Sequence, residues 1–334
     1  MAALGRALGA QTRVEDLAVA AASQDKTPRV GVVLSNFRGS KDHDGTLVRG
    51  LEAPAPVSGS LTEAQIASML RKAIELGNTR RGGLASIVKP DDWVVIKVDI
   101  STCVAGSVTD PRVVRSLVDW LVENSRARRI TIAEGLGCQQ GRPDGWTALV
   151  TDLSRHHPSL TLYFADLNLD EILELPVPGK PSAGRNPDGV YFIPRTIQEC
   201  DRVISVAPLK RHPRTEVSLS IGNYFGIAPA SKYGPSGDGL FELGESHEVL
   251  MDLFSFHTAD YAILVHRNVI IAGANAPAVD TVGAAVMGIE PYGIRHLNLA
   301  AKKGYGIVDL DLIWTRGNEI EEARAALIPV QQVQ

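Results

Sequence analysis

The stretch from Asp92 to Glu134 limits the folds open to this chain more than any other. Asp92–Ser101 (DWVVIKVDIS) is an apolar run of strand length with a polar end. Thr109-Asp110-Pro111 supplies a capping side chain followed by proline at the first helical position, where its missing N–H costs nothing. Val113, Val114, Leu117, Val118, Leu121 and Val122 then recur at a period of 3.6 and make one apolar stripe. Arg129–Glu134 (RITIAE) is a second strand. Strand, amphipathic helix and strand at this spacing form a βαβ unit, with parallel strands and a right-handed crossover.

The alternation continues on both sides. Arg29–Ser35, Thr161–Ala165, Arg202–Ala207, Tyr261–Val265, Val269–Gly273 and Asp311–Thr315 read as strands. Ser60-Leu61-Thr62-Glu63 reads as a capping box opening a helix with Ile66, Met69, Leu70, Ala73 and Ile74 on one face. Pro277–Met287 and Gly293–Lys303 are further helices, the first built of small residues that allow close packing against the sheet or a second subunit. Asn36–Ser60, Pro176–Asp188 and Ser231–Ser246 are rich in glycine, proline or both and read as loops. The expected fold class is α/β: a mainly parallel sheet flanked by helices, with loop insertions. The expected division is an N-terminal helical extension at 1–28, capped at Thr12-Arg13-Val14-Glu15, an α/β domain at 29–320 and a C-terminal tail at 321–334, frayed after Arg324. Two lobes, about 29–200 and about 201–320, are a further division of the domain.

Composition excludes several function classes. A chain of 334 residues with 44% hydrophobic residues can bury a full core without staples. Its net charge of −4 gives no basic field for nucleic acid. No apolar run reaches the ~18–20 residues that span a bilayer, so no membrane partner is expected. Cys103, Cys138 and Cys200 are widely spaced and form no C-x-x-C, which excludes a disulfide framework and an iron–sulfur cluster and suits reduced thiols in a cytoplasmic protein. There is no P-loop, no G-x-S-x-G elbow and only a fragment of a dinucleotide fingerprint at Gly135-Leu136-Gly137, so no cofactor is named.

Ligands of open parallel sheets sit beyond the carboxyl ends of the strands. Three strands there end in Lys97-Val98-Asp99, in Glu134 and in Pro208-Leu209-Lys210-Arg211-His212. These five, Lys97, Asp99, Glu134, Lys210 and His212, are the catalytic candidates. Lys97 follows Trp93-Val94-Val95-Ile96 and should be buried, so Asp99 or Glu134 must neutralise it; such a pair either binds a ligand or only holds the sheet. Lys210, Arg211, His212 and Arg214 place three fixed cations and an imidazole within five residues, a grouping that suits a carboxylate or phosphate or else a solvated turn. Arg211, Arg214, Ser220, Asn223 and His247 are the substrate-binding candidates. His212, His247 and Asp280 are acceptable ligands for a divalent metal by type, as are Asp99 and Glu134, although no histidine pair has metal spacing.

Taken in order, VVIKVDIS (94–101), TDPRVVRSLVDWL (109–121), ITIAEG (130–135), CDRVISVAPLKRH (200–212), SLSIGNYFGIAP (218–229), His247 and NVIIAGANAPAVDTVGAAVMG (268–288) resemble the family known as domain of unknown function 362. The resemblance implies an α/β protein and carries no single activity with it. It implies site roles for Lys97, for Lys210 and His212 as a Lys-x-His pair, and for Asp280 as an acidic position. The family's Lys-Pro-Asn stands here as Lys97-Val98-Asp99 and its Lys-Asn as Gly222-Asn223. The iron–sulfur domain that some members carry lacks its cysteines here. The layout is also similar to that of lactate racemases, whose histidine pattern it does not reproduce.

The expected function is an enzyme that moves protons on a small anionic metabolite by isomerisation, elimination, cyclisation or hydrolysis. Lys210, Arg211 or Arg214 would hold the anion, His212 would transfer the proton, and Ser231–Ser246 would close as a lid. A metal-dependent enzyme and a non-catalytic binding protein are the rival readings, and a homodimer is compatible with the small-residue helix.

Overall fold

A computed structural model describes residues 27–42, 44–79, 82–101, 107–139 and 144–331. The expected N-terminal helix, His43 and Cys103 lie outside the described residues. One eight-stranded sheet contains β1 (Arg29–Leu34), β4 (Trp93–Val98), β5 (Arg129–Glu134), β6 (Thr161–Asp166), β9 (Arg202–Pro208), β12 (Tyr261–His266), β13 (Val269–Gly273) and β14 (Trp314–Gly317). Three small hairpins hold the rest: β2 (Gly39–Lys41) with β3 (Leu47–Arg49), β7 (Ile172–Pro176) with β8 (Val190–Pro194), and β10 (Lys210–His212) with β11 (Glu216–Ser218). The order in the large sheet is β14-β1-β13-β12-β9-β4-β5-β6. Only β13 runs against the others, because a two-residue turn joins it to β12. The carboxyl ends of the other seven strands therefore share one edge.

Strand side chains alternate between faces, and each face has its own core. Val33, Val94, Ile96, Ile130, Ile132, Ile204 and Ile263 meet α1 (Glu63–Gly77), α2 (Pro111–Ser125) and α3 (Asp144–His156). Val32, Val95, Ala133, Val203, Ala207, Leu264 and Ile271 meet α4 (Ser246–Phe256), α5 (Ala276–Val286), α6 (Arg295–Lys302) and α7 (Ile320–Gln331). This is the expected α/β class. None of the described helices is long and apolar enough to cross a membrane.

Local chemistry sets the helix starts. Asp110 accepts from Arg112 N at 2.9 Å with Pro111 at the first helical position, as the sequence predicts. The capping box that opens α1 sits two residues later than expected: Thr62 and Gln65 satisfy each other, not Ser60 and Glu63. Leu61, just before it, is buried and has its carbonyl taken by Arg112.

Three other expectations are corrected. Residues 310–312 form a 3-10 turn begun by the Asp309 side chain, so the last strand starts only at Trp314. Residues 320–331 are not frayed: α7 buries Ala323 and Leu327, and Arg324 donates to the Ala285 carbonyl at the end of α5. Residues 231–246 form short helical turns, with Tyr233 and Leu240 buried and the Tyr233 hydroxyl accepting from Phe192 N.

Candidate active site

Lys97 faces the same side of the sheet as Val95, between Ser205 on β9 and Ala133 on β5. Those small neighbours leave room for its long side chain, which is fully buried. Its ammonium donates to Glu134 Oε1 (3.1 Å), Asn223 Oδ1 (2.8 Å) and the Val98 carbonyl (2.7 Å), which uses all three of its hydrogens. Asn223 returns its amide to the Lys97 carbonyl (2.9 Å) and Ser205 Oγ (3.0 Å). Glu134 also accepts from Gly135 N (2.7 Å) and Ile100 N (3.2 Å). Burial pushes its pKa up, against the pull of Lys97.

Bare backbone seals this pair. A Cβ at Gly226 would stand 2.2 Å from Glu134 Oε1 and 2.6 Å from Lys97 Nζ, and one at Gly137 would stand 2.9 Å from Glu134 Oε2. Only glycine permits that approach. Lys97, Glu134 and Asn223 thus form an enclosed base under the site.

A second pair lies above it. Asp99, just past the end of β4, meets Lys210 Nζ at 2.7 Å through Oδ2 and accepts from Ser101 Oγ (2.6 Å) and N (3.1 Å) through Oδ1. Lys210 also donates to Ser101 Oγ (2.9 Å) and the Ser107 carbonyl (3.3 Å). Thr109 ties this corner to the sheet, accepting from Asp99 N (2.8 Å) and donating to the Val206 carbonyl (2.7 Å). Burial pushes Asp99 up, but Lys210 and Ser101 outweigh it and leave the carboxyl below its usual range. The Lys210 side chain keeps 16% of its surface open.

His212 stands beside this pair on the β10–β11 hairpin, stacked on Phe225 with centroids 5.7 Å apart. Its Nδ1 lies 2.9 Å from Thr215 Oγ1 and 3.3 Å from Arg214 N. These two contacts favour opposite tautomers. The Thr215 hydroxyl gives its hydrogen to the Val217 carbonyl (3.1 Å), so the shorter contact is Nδ1–H donating to Thr215. That tautomer leaves Nε2 with a free lone pair. Burial, then Lys210, pushes the imidazole below its ordinary pKa, so it is neutral at pH 7.

The other candidates divide. Arg214 reaches the group through a stack: its guanidinium is 4.2 Å over Phe241, which meets Phe225 edge-on. Arg211 is exposed on β10. Ser220 and Asp280 are brought to each other, not to Lys210. Asp280 accepts from Ser220 N (2.9 Å), Ser220 Oγ (2.6 Å) and Ile221 N (2.9 Å), pinning that turn to α5, and burial pushes its pKa up to about 7. His247 pairs with His296, Nδ1 to Nδ1 at 3.0 Å with the rings stacked. His296 is fully buried and pushed down to about 3 by burial, then by His247 and His212. Residue pattern alone does not single out His296, Ser101, Thr109 or Ser205 as members of this region. Of the four only Thr109 carries a local signal, at the helix start. Among the described residues no group of three or more His, Cys, Asp and Glu side chains is arranged to hold a metal ion. A cavity of about 1280 Å³ lies farther along the same sheet edge.

Comparison with solved structures finds a lactate racemase apoprotein from Thermoanaerobacterium thermosaccharolyticum, at 13% identity and a TM-score of 0.44. The match covers 74% of this chain and 62% of that protein. No curated protein matches the sequence. The family model for a domain of unknown function, DUF362, matches residues 94–285, from β4 into α5 and across every residue of the site just described except His296. With more than half of its length matched, the chain belongs to the DUF362 family.

Proposed function

We propose that this protein is an enzyme that transfers a proton on a small anionic metabolite. The observation that carries this reading is a neutral imidazole, His212, beside a partly open lysine, Lys210, that a low-pKa carboxylate holds in place. Lys210, with Arg214 at the rim, binds the carboxylate or phosphate of the substrate. His212 Nε2 takes the proton. Asp99 and Ser101 fix the Lys210 ammonium, so they position it rather than react. Lys97, Glu134 and Asn223 support Asp99 from below. Isomerisation, elimination, cyclisation and hydrolysis all fit such a group. The 231–246 segment, which contacts Phe225 through Phe241, is the part that moves to admit substrate.

The test is incubation with small carboxylates and phosphates in D2O, read by mass spectrometry for deuterium uptake or consumption. Wild type is expected to act on at least one compound, His212→Ala to bind it without turning it over, and Lys210→Met to bind it weakly. The rate should rise with pH as His212 loses its proton and level off by neutral pH. Unchanged turnover in His212→Ala removes this histidine from the mechanism. Tight binding with no chemistry by wild type makes the chain a binding protein.

A further inference from the structure

The 1280 Å³ cavity lies over the ends of β14 and β1 and the β12–β13 turn, on the side of β12 away from β9, the strand that leads into Lys210. Its lining is mixed: Val57, Ala325 and Ala326 present apolar surface, over a floor of Leu34, Phe37 and Leu61 that is itself almost wholly buried. The exposed side chains of Arg38, Lys41 and Arg267 also line it, and none of the three has an ion-pair or hydrogen-bond partner among the described residues. A fourth cation, Arg112, is already neutralised by Asp110. The opposing acids are Glu319 and Glu322, and Glu322 is engaged by Asn318 Nδ2 and Glu319 N at the start of α7. Free positive charge is therefore in excess around this cavity.

The backbone adds an independent sign. His266 and Val269 pair across a two-residue turn made of Arg267 and Asn268. Of these only Arg267 has positive φ, at 41°. A two-residue hairpin turn with positive φ at its first central position is the type that calls for glycine. An arginine there is strained, and strain of this kind collects at ligand sites. The chain keeps a cation where the fold would be better served by none.

We infer that this cavity is a second binding site, for a cofactor-sized organic anion with a phosphate, sulfonate or carboxylate group. Val57, Ala325 and Ala326 meet the body, and Arg38, Lys41 and Arg267 take the charge. The site is separate from the Lys210 group and stands or falls without it.

The probe is 8-anilinonaphthalene-1-sulfonate, which has this make-up, titrated by fluorescence against the full chain. Wild type is expected to show one saturable site, weakened by added salt. Arg38→Ala and Arg267→Gly should each lower the affinity by about tenfold, the usual effect of removing one charge-assisted hydrogen bond. Arg267→Gly should do so while its melting temperature stays level or rises, since the turn relaxes. Lys210→Met should leave the titration unchanged. Affinity that is the same in all variants, or abolished only in Lys210→Met, overturns the site. A lower melting temperature for Arg267→Gly overturns the strain argument, and Arg38→Ala then decides the site alone.

Discussion

Lys97 and Glu134 show how much one buried charge depends on another. Both are almost wholly out of water, so removing one strands the other. Lys97→Met should cost about 3–5 kcal/mol, the usual penalty for breaking a buried ion pair, as read from urea unfolding midpoints. Adding Glu134→Leu to it should recover part of that loss; a double variant no better than the single would mean that the two do not act as a pair. His257 makes a second case, at the opposite edge of the sheet. Burial pushes it down, but Cys200, 3.6 Å from Nδ1, and Asp260, 3.5 Å from Nε2, carry it up to about 10. A folded-state pKa above the unfolded value of about 6.5 means that the native state holds the extra proton. Its stabilisation is full below that pH and fades as pH rises toward 10. Unfolding midpoints should therefore fall between pH 6.5 and 10 for wild type, and His257→Gln should flatten that decline. The residues that are legible in the sequence, Lys97, Asp99, Glu134, Lys210 and His212, all sit at strand ends, where position alone predicts convergence. Ser220 and Asp280 turn to each other, and His247, close enough to His212 to act on its charge, pairs with His296, because these partners come from distant segments that no spacing rule connects.

Elements are legible where the cue is local. The β4–α2–β5 unit follows from its apolar periods and from Asp110-Pro111, and Asp110→Ala should cost about 1 kcal/mol in thermal melts, a typical loss for an N-cap. The position of the turn over Lys97 is not of that kind. Residues 222–227 form a 3-10 turn whose Gly226 lies against Glu134 and Lys97, an approach set by packing. Gly226→Ala would drive a methyl into both charged groups. It should destabilise by about 1–3 kcal/mol, as overpacking does, and should lower turnover once a substrate is known. An unaltered unfolding midpoint would show that the turn can back away. The displaced capping box at Thr62 has the same lesson: two boxes overlap in the sequence, and the burial of Leu61 selects between them.

At the scale of the whole molecule, β14 and α7 close one side of the sheet although they come last in the chain. Leu327 is buried against the same core as α5, so Leu327→Ala should lower stability by about 2–5 kcal/mol, as large-to-small changes in a core do; a change near zero would return the 320–331 segment to a loose tail. The strands on either side of residue 200 join in a single sheet, since β9 and β12 lie side by side and β9 pairs directly with β4. What the amino-acid sequence determined by itself is the α/β class, the parallel βαβ unit and the set of charged residues at the strand ends. Those depend on periodicity, caps and the direction of parallel strands, which act over a few residues. Only the tertiary structure decided which of those charges touch, which of them glycine backbone seals away, that Asp280 pins a turn and that three cations meet around one cavity. Such features depend on segments far apart in sequence meeting in space, and burial, not local pattern, then sets their charge and their partners.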